Sequence, residues 1–198
     1  MSKGEVTRQR ILARAGQLAS QRGLQGLSIG ELASDLGLSK SGLFAHFGSK
    51  EDLDVEVLKA SSARFEANVI KPALRATRGI PRLRALFDHW LSWIADPSFP
   101  GGCLFLAAAT ELDDREGKAR DYLAGSQRQF LGVLAKAARM AVEQGEFDPA
   151  LDCDQFAFEM FSIALGYNHN KRLLRERKAE ARARAAFDRL LEASAARS

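Results

Sequence analysis

The sequence predicts an all-α protein of about nine helices, and three observations favour that class. Good helix formers such as Ala, Leu, Arg, Glu and Gln dominate long stretches of the chain. Apolar residues recur in these stretches with the helical period of about 3.6, and no segment has a convincing strand pattern. Only five prolines occur, and segments rich in glycine or proline, most plainly residues 96–102 (DPSFPGG), separate the stretches.

The first helix is predicted to end at Gly23. Five apolar residues share one of its faces: Ile11, Leu12, Ala15, Leu18 and Ala19. Ser28 then opens a second helix with a capping box, in which its hydroxyl accepts the Glu31 backbone N–H and the Glu31 carboxylate reaches back. Gly37 supplies the left-handed conformation that stops this short helix.

Two further serines mark the starts of the third and fourth helices. Ser39 caps the third helix, which is predicted to run to about residue 45. Ser49 caps the fourth, with Asp52 three residues on. The fourth helix is long, and Pro72 falls in or near its last turns.

Five more helices are predicted after a loop at residues 75–79. They cover about residues 81–95, 103–112, 121–144, 152–177 and 178–195. The boundary between the last two stays open.

The positive charge of the chain is concentrated at its start. Residues 1–50 hold seven Lys or Arg and three acids, a net of +4, whereas the rest of the chain is balanced. A basic module on a neutral body favours a polyanion partner such as nucleic acid. Ordinary surface charge with an N-terminal bias is the alternative.

Composition also bears on location and redox chemistry. No apolar stretch reaches the length of about 20 residues that spans a bilayer, and residues 1–10 lack the apolar core of a signal peptide. We therefore expect a cytoplasmic protein without membrane contact. Cys103 and Cys153 do not make a disulfide framework. Cys103 at a predicted helix start could be a thiol switch or simply a small buried residue.

Residues 28–47 are predicted to form a helix-turn-helix. Two short helices joined by a turn that contains glycine form the unit with which many proteins enter the major groove of DNA. The exposed face of the second helix is compact, polar and basic, and consists of Ser39, Lys40, Ser41, Gly42, Phe44, Ala45 and His46. Short side chains and backbone N–H groups at its start suit close approach to bases and phosphates.

Residues 7–58 resemble the N-terminal domain of the tetracycline-repressor (TetR) family of transcriptional regulators. The resemblance is carried by LSI and ELA at 27–29 and 31–33, LGLSKSGLF at 36–44 and HFGSKEDL at 46–53. It covers about a quarter of the chain and implies a DNA-binding regulator, with repression as the family's usual mode. It also implies a DNA-binding domain at 1–50 and an effector-binding and dimerisation domain at 51–198, connected by the helix at about 50–74.

The same resemblance implies roles for individual residues. It assigns contacts to phosphates or bases to Ser28, Ser39, Lys40, Ser41, Gly42, His46 and Lys50. Phe44 and Ala45 stand where the family usually carries tyrosine or another aromatic residue, so base preference is expected to differ. Ser28, Ser39 and Ser49 could instead act only as helix caps, and His46 could be a structural residue at a helix end. Lys40 and Lys50 could be solvated surface charges. We expect Arg14 and Arg22 to be surface residues.

The last two predicted helices favour a homodimer that reads palindromic double-stranded DNA. Apolar residues surround much of the first and form a face on the second: Phe156, Phe158, Met160, Phe161, Ile163 and Leu165, then Phe187, Leu190 and Leu191. A helix that is apolar on several sides is buried on several sides, which predicts a symmetric four-helix interface. The alternative is that these faces fill the core of the monomer.

The middle helices are candidates for a pocket that binds a small hydrophobic effector. The lining candidates are Trp90, Trp93, Phe105, Tyr122, Phe130, Met160 and Tyr167. Aromatic residues at helical spacing are more often plain core, and a DNA-binding or architectural protein without an effector is the alternative. The histidines His46, His89 and His169 lie far apart, so no catalytic residue, metal or cofactor is expected.

Overall fold

The computed structural model describes residues 2–196, and within them the chain forms nine helices, so the all-α prediction is confirmed. The helices are α1 (Lys3–Arg22), α2 (Ile29–Asp35), α3 (Lys40–Phe47), α4 (Lys50–Phe65, continued by a π-helical turn Glu66–Ile70 and by Lys71–Ala73), α5 (Ile80–Ile94), α6 (Leu104–Leu112), α7 (Lys118–Glu143), α8 (Cys153–Arg172) and α9 (Ala179–Ser194). Within residues 2–196, the β-type pairing is limited to one isolated bridge between Phe147 and Ala195.

Most of the predicted helix ends are confirmed because they depend on local side chains. Gly23 ends α1 with a φ of 77°, as expected of a residue without a Cβ. Pro72 lies in the final turn of α4. The π-helical turn precedes it directly, where the missing N–H of proline prevents a regular ladder of hydrogen bonds.

Two helix boundaries differ from the predicted ones. The predicted helix 152–177 ends at Arg172, because Arg175 has a φ of 52° in the left-handed region. The predicted helix 121–144 begins at Lys118 instead, since the Glu51 carboxylate accepts a hydrogen bond from the Lys118 backbone N–H at 2.7 Å. Glu51 is far away in sequence, so this cap has no local signal.

The chain forms two compact units, each made of two segments. The first unit contains residues 2–64 and 96–126, and the second contains residues 65–95 and 127–196. These units are defined by contacts within the chain, so they do not test the predicted division into two functional domains at residue 50, which stays a prediction. The first unit has a continuous core with apolar residues from α1 to α4, α6 and the start of α7.

The second unit contains a pair of matching helix segments. Arg84-Ala-Leu-Phe87-Asp88 on α5 and Arg184-Ala-Ala-Phe187-Asp188 on α9 share the pattern R-A-x-F-D. The rings of Phe87 and Phe187 stack with centroids 4.1 Å apart. Crossed ion pairs flank this stack, one from Arg84 to Asp188 at 2.6 Å and one from Arg184 to Asp88. The matching segments therefore fasten the last helix to α5.

Candidate nucleic-acid interface

Helices α2 and α3 form the predicted helix-turn-helix. Leu32, Ala33 and Leu43 are buried between the helices and the rest of the first unit. Gly37 has a φ of 67°, and the backbone N–H of Leu38 bonds the carbonyl of Ala33 at 2.8 Å, which closes the end of α2. These contacts hold α3 in a defined orientation to α2.

The capping box at the start of α2 is only half formed. The Ser28 hydroxyl accepts the Glu31 backbone N–H at 3.4 Å, as expected. The Glu31 carboxylate accepts a hydrogen bond at 2.9 Å from the Arg22 guanidinium. The prediction of a return bond from Glu31 to Ser28 is therefore wrong, because the Arg22 guanidinium of α1 binds this carboxylate instead.

Ser39 caps α3 as predicted. Its hydroxyl accepts the Gly42 backbone N–H at 3.0 Å and lies 3.1 Å from the Ser41 hydroxyl. A Cβ at Gly42 would stand 3.1 Å from the Ser39 oxygen, tighter than ordinary contact. A side chain at this position would therefore crowd the Ser39 hydroxyl that caps α3.

Most of the predicted DNA-facing residues of α3 are exposed to solvent. Ser39, Lys40, Ser41, Phe44 and Ala45 are exposed, and Gly42 and His46 are partly buried. Phe44 keeps 39% of its surface in contact with solvent, which is high for a phenylalanine. An apolar ring exposed between small polar residues can pack on a thymine methyl group or a sugar.

Lys50 has intramolecular partners in this structure. Its ammonium group donates to the Leu24 carbonyl oxygen at 2.9 Å and to the Asp54 carboxylate at 2.5 Å. Asp54 is buried, and burial raises the pKa of its carboxyl although Lys50 acts in the opposite direction. Sequence reasoning missed Asp54, and the spacing of four residues between opposite charges on one helix was the available signal.

Residues 96–126 support the helix-turn-helix from within the same unit. The Glu111 carboxylate accepts the Gln25 backbone N–H at 3.0 Å, in the turn between α1 and α2. The Ser20 hydroxyl accepts the Gly101 backbone N–H at 3.2 Å. The turn before α2 is therefore held by α6, and the end of α1 is held by the loop that precedes α6.

A second set of contacts holds the start of α4. The Lys118 ammonium pairs with Asp52 at 3.0 Å, and the Ser49 hydroxyl donates to the same carboxylate at 2.6 Å. The hydrogen bonds from Ser49 and then Lys118 lower the pKa of Asp52. Ser49 is therefore a cap, as predicted, and accepts the Asp52 backbone N–H at 3.0 Å.

The candidate effector residues are divided between the two units. In the second unit, the Phe130 ring packs edge-on against Trp90, with centroids 4.8 Å apart, and against Phe65 at 4.9 Å. Phe65 also packs edge-on against Trp93. Sequence reasoning missed Phe65, whose signal was only its apolar position on the fourth helix. Met160 and Tyr167 are buried on α8.

The other two candidates belong to the first unit. Phe105 and Tyr122 are partly buried against its core, and the Tyr122 hydroxyl lies 3.0 Å from the Ser62 hydroxyl. Cys103 is buried at the N-terminus of α6. Across residues 2–196, no cluster of three or more His, Cys, Asp or Glu side chains could hold a metal ion. None of the described helices is long and apolar enough to cross a membrane.

Two family models match the chain. The model of bacterial regulatory proteins of the tetR family matches residues 11–57. The model of the tetracyclin repressor-like C-terminal domain matches residues 79–187, more than half of the 198 residues. The chain belongs to the TetR family. This TetR-family chain is a DNA-binding transcriptional regulator, and its family and fold are those of regulators, which are not enzymes.

Individual relatives agree with this membership. The HTH-type transcriptional repressor NemR of Escherichia coli is 24% identical over 171 residues, which cover 85% of each chain. A TetR transcriptional regulator from Chloroflexus aurantiacus has the same fold, with a TM-score of 0.85, 24% identity and coverage of 97% of this chain and 96% of that one. AibR, solved in complex with isovaleryl coenzyme A and operator DNA, has a TM-score of 0.72 and 23% identity, with coverage of 91% and 97%.

Proposed function

We propose that this TetR-family chain is a repressor that binds a palindromic operator as a homodimer and is released by a small hydrophobic effector. The exposed, polar start of α3 is the observation that carries the DNA-binding part of this proposal. Helix α3 enters the major groove, and its N-terminal side chains read the base edges. The contacts with bases and backbone come from Ser28, Ser39, Lys40, Ser41, Gly42, Phe44, Ala45, His46 and Lys50.

Five of the nine apolar residues predicted for the interface are buried within the single chain and fill its own core: Phe156, Met160, Phe187, Leu190 and Leu191. The dimer is supported instead by an apolar face of α8 that the rest of the described chain leaves exposed. Phe158 is 61% exposed and Leu165 is 42% exposed, and a separation of seven residues places them on the same side of the helix. On α9, Ala181 and Ala185 are exposed one turn apart and allow close approach of a second helix. Two copies of these helices would bury both faces in a four-helix interface.

The effector site is proposed within residues 51–198, among the buried aromatic residues. AibR, a structural neighbour, binds isovaleryl coenzyme A as well as operator DNA. In this chain the aromatic cluster around Trp90, Trp93 and Phe130 offers an apolar surface of the kind that binds an acyl chain. The effector releases DNA only to the extent that it binds one conformational state more tightly than the other.

The DNA proposal is tested by selection from randomised duplexes. The purified full-length chain is incubated with duplexes of about 30 base pairs, long enough for two half-sites separated by about one helical turn. We expect enrichment of a sequence with two inverted half-sites, and binding that weakens steeply with salt. Failure to enrich any sequence would contradict operator binding, and enrichment of a single half-site would contradict the dimer.

The effector proposal has its own test because the sequence holds two tryptophans, Trp90 and Trp93, and both are buried. Isovaleryl coenzyme A and a panel of hydrophobic carboxylic acids are titrated while tryptophan emission and thermal stability are recorded. We expect at least one compound to change the emission, raise the unfolding temperature and weaken binding to the selected duplex. A flat response across the panel would favour a regulator without an effector.

A further inference from the structure

The helix-turn-helix carries an unfavourable charge for its task. Residues 28–47 contain one lysine and two acids, a formal net charge of −1 with histidine counted as neutral. The positive excess of the first 50 residues therefore lies outside the DNA-reading unit itself. DNA presents about one negative charge per 1.7 Å of its axis, so an unpaired carboxylate at the interface opposes binding.

Both acids lie beside the lysine of α3. Glu31 and Asp35 are one turn apart on the exposed side of α2, and with Gly30, Ser34 and Lys40 they line a shallow depression. Lys40 lies over Gly30, because a Cβ there would stand 2.9 Å from its Cε. The two carboxylates are thus placed to attract the Lys40 ammonium group away from a phosphate.

Each of these acids is paired with an arginine of α1. The Arg22 guanidinium donates to Glu31 at 2.9 Å, and the Arg14 Nε pairs with Asp35. The hydrogen bond from Arg14 lowers the pKa of Asp35, and the charge of Arg22 acts in the same direction. Arg14 also donates to Gln17 at 3.3 Å, which helps to hold its guanidinium in place.

The exposure of these pairs argues against a role limited to folding. The side chains of Arg22 and Glu31 are 51% and 62% exposed, and those of Arg14 and Asp35 are 39% and 41% exposed. Ion pairs in this range of exposure contribute little to stability because water and salt screen them. Their effect on a neighbouring polyanion is larger, since each pair removes one repulsive charge from the surface around Lys40.

We propose that Arg14 and Arg22 are positioning residues of the DNA interface, which neutralise Asp35 and Glu31 and leave Lys40 available for phosphate. The inference rests on the proposed contact between α3 and DNA. It assigns a function to two arginines that need not touch DNA. It also explains how a helix-turn-helix with a net negative charge can bind DNA.

The experiment is a charge-neutralisation cycle on the full-length chain, measured with the duplex selected by the wild type. The variants are Arg14→Gln, Asp35→Asn and the double variant, with Arg22→Gln, Glu31→Gln and their double variant as the second cycle. Arg14→Gln is expected to weaken binding about three- to tenfold, and Asp35→Asn to maintain or strengthen it. The double variant is expected to return to the wild-type affinity within about twofold.

A purely structural ion pair would give a different pattern, because either single variant breaks it. Equal losses of affinity in Arg14→Gln and Asp35→Asn would therefore overturn the inference, as would wild-type affinity in Arg14→Gln. The double variant could also bind the duplex as weakly as Arg14→Gln, with a salt dependence reduced by about one ion. That result would make Arg14 a direct phosphate contact and would also overturn the inference. If the wild type selects no duplex, the proposed DNA contact itself fails, so the two failures are distinguishable.

Discussion

Lys50 forms an ion pair with Asp54 one turn further along α4, with 2.5 Å between Nζ and Oδ1. The same ammonium group holds the Leu24 carbonyl oxygen, so it connects α4 to the turn before α2. Lys50 is also a proposed phosphate contact, which means that DNA must compete with Asp54 for it. The stabilising and DNA-binding roles of this lysine can be separated by mutation.

Replacement of Lys50 by methionine should lower both stability and DNA affinity. A buried carboxylate without its cation is costly, and we expect Lys50→Met to lower the free energy of unfolding by about 2 kcal/mol in urea denaturation. The double variant Lys50→Met/Asp54→Leu should recover most of that stability. Its affinity for the selected duplex should stay at least fivefold below wild type, and full recovery of affinity would contradict the phosphate contact.

Asp54 should give the stability of the protein a characteristic pH dependence. Burial raises the pKa of Asp54 above its value in the unfolded chain. At a pH between these two pKa values, the Asp54 carboxyl is therefore more protonated in the folded chain than in the unfolded chain. The contribution of Asp54 to the free energy of unfolding is therefore greatest below about pH 4 and falls as pH rises through the raised pKa.

The variant Asp54→Asn removes this contribution, and the comparison with wild type isolates it. We expect the free energy of unfolding of wild type, minus that of the variant, to decrease as pH rises above about 4. Urea denaturation at a series of pH values measures the difference. A difference that increases with pH would show a lowered pKa and contradict the role assigned to burial.

Gly101 should be intolerant of any side chain, because the loop before α6 contacts the end of α1 at this residue. A Cβ at Gly101 would lie 1.5 Å from the Ser20 carbonyl oxygen. We expect Gly101→Ala to lower the free energy of unfolding by about 3 kcal/mol. Gly125→Ala on α7 is the matched control, since a Cβ there meets nothing within 4 Å, and it should be neutral or stabilising by about 0.5–1 kcal/mol. Equal effects of the two variants would contradict the close packing at Gly101.

The exposed face of α8 should be necessary for dimerisation. We expect Phe158→Glu/Leu165→Glu to sediment as a single chain of 21.7 kDa at micromolar concentration and to bind the selected duplex at least tenfold more weakly. Leu74→Glu is the control, because Leu74 is 50% exposed but lies outside α8 and α9. A double variant that remains a dimer would place the interface elsewhere on the chain.

Local chemistry explains what the sequence could predict. Ser28, Ser39 and Ser49 cap helices through residues three positions away, and Gly37 ends α2 through its own backbone, so each signal lies within one turn. The helix-turn-helix pattern consists of such signals, which is why it could be identified together with its family.

Long-range partners explain what the sequence could not predict. Glu31 turns to Arg22 rather than to Ser28, and Lys118 is capped by Glu51 across 67 positions. Such contacts depend on how the helices pack, and no periodicity or spacing within one helix encodes them. The same reason hides Phe65, whose contacts with Trp93 and Phe130 form only when α4, α5 and α7 come together.

The most direct test of the DNA-binding surface is the affinity of the variant Lys40→Ala/His46→Ala for the selected duplex across a range of salt concentrations. We predict a loss of at least tenfold relative to wild type, and a salt dependence reduced by about one ion because the Lys40 charge is gone. Lys136→Ala, an exposed lysine on α7, is the control and should retain the wild-type affinity. Wild-type affinity and salt dependence in the double variant would contradict the assignment of α3 as the DNA-reading helix.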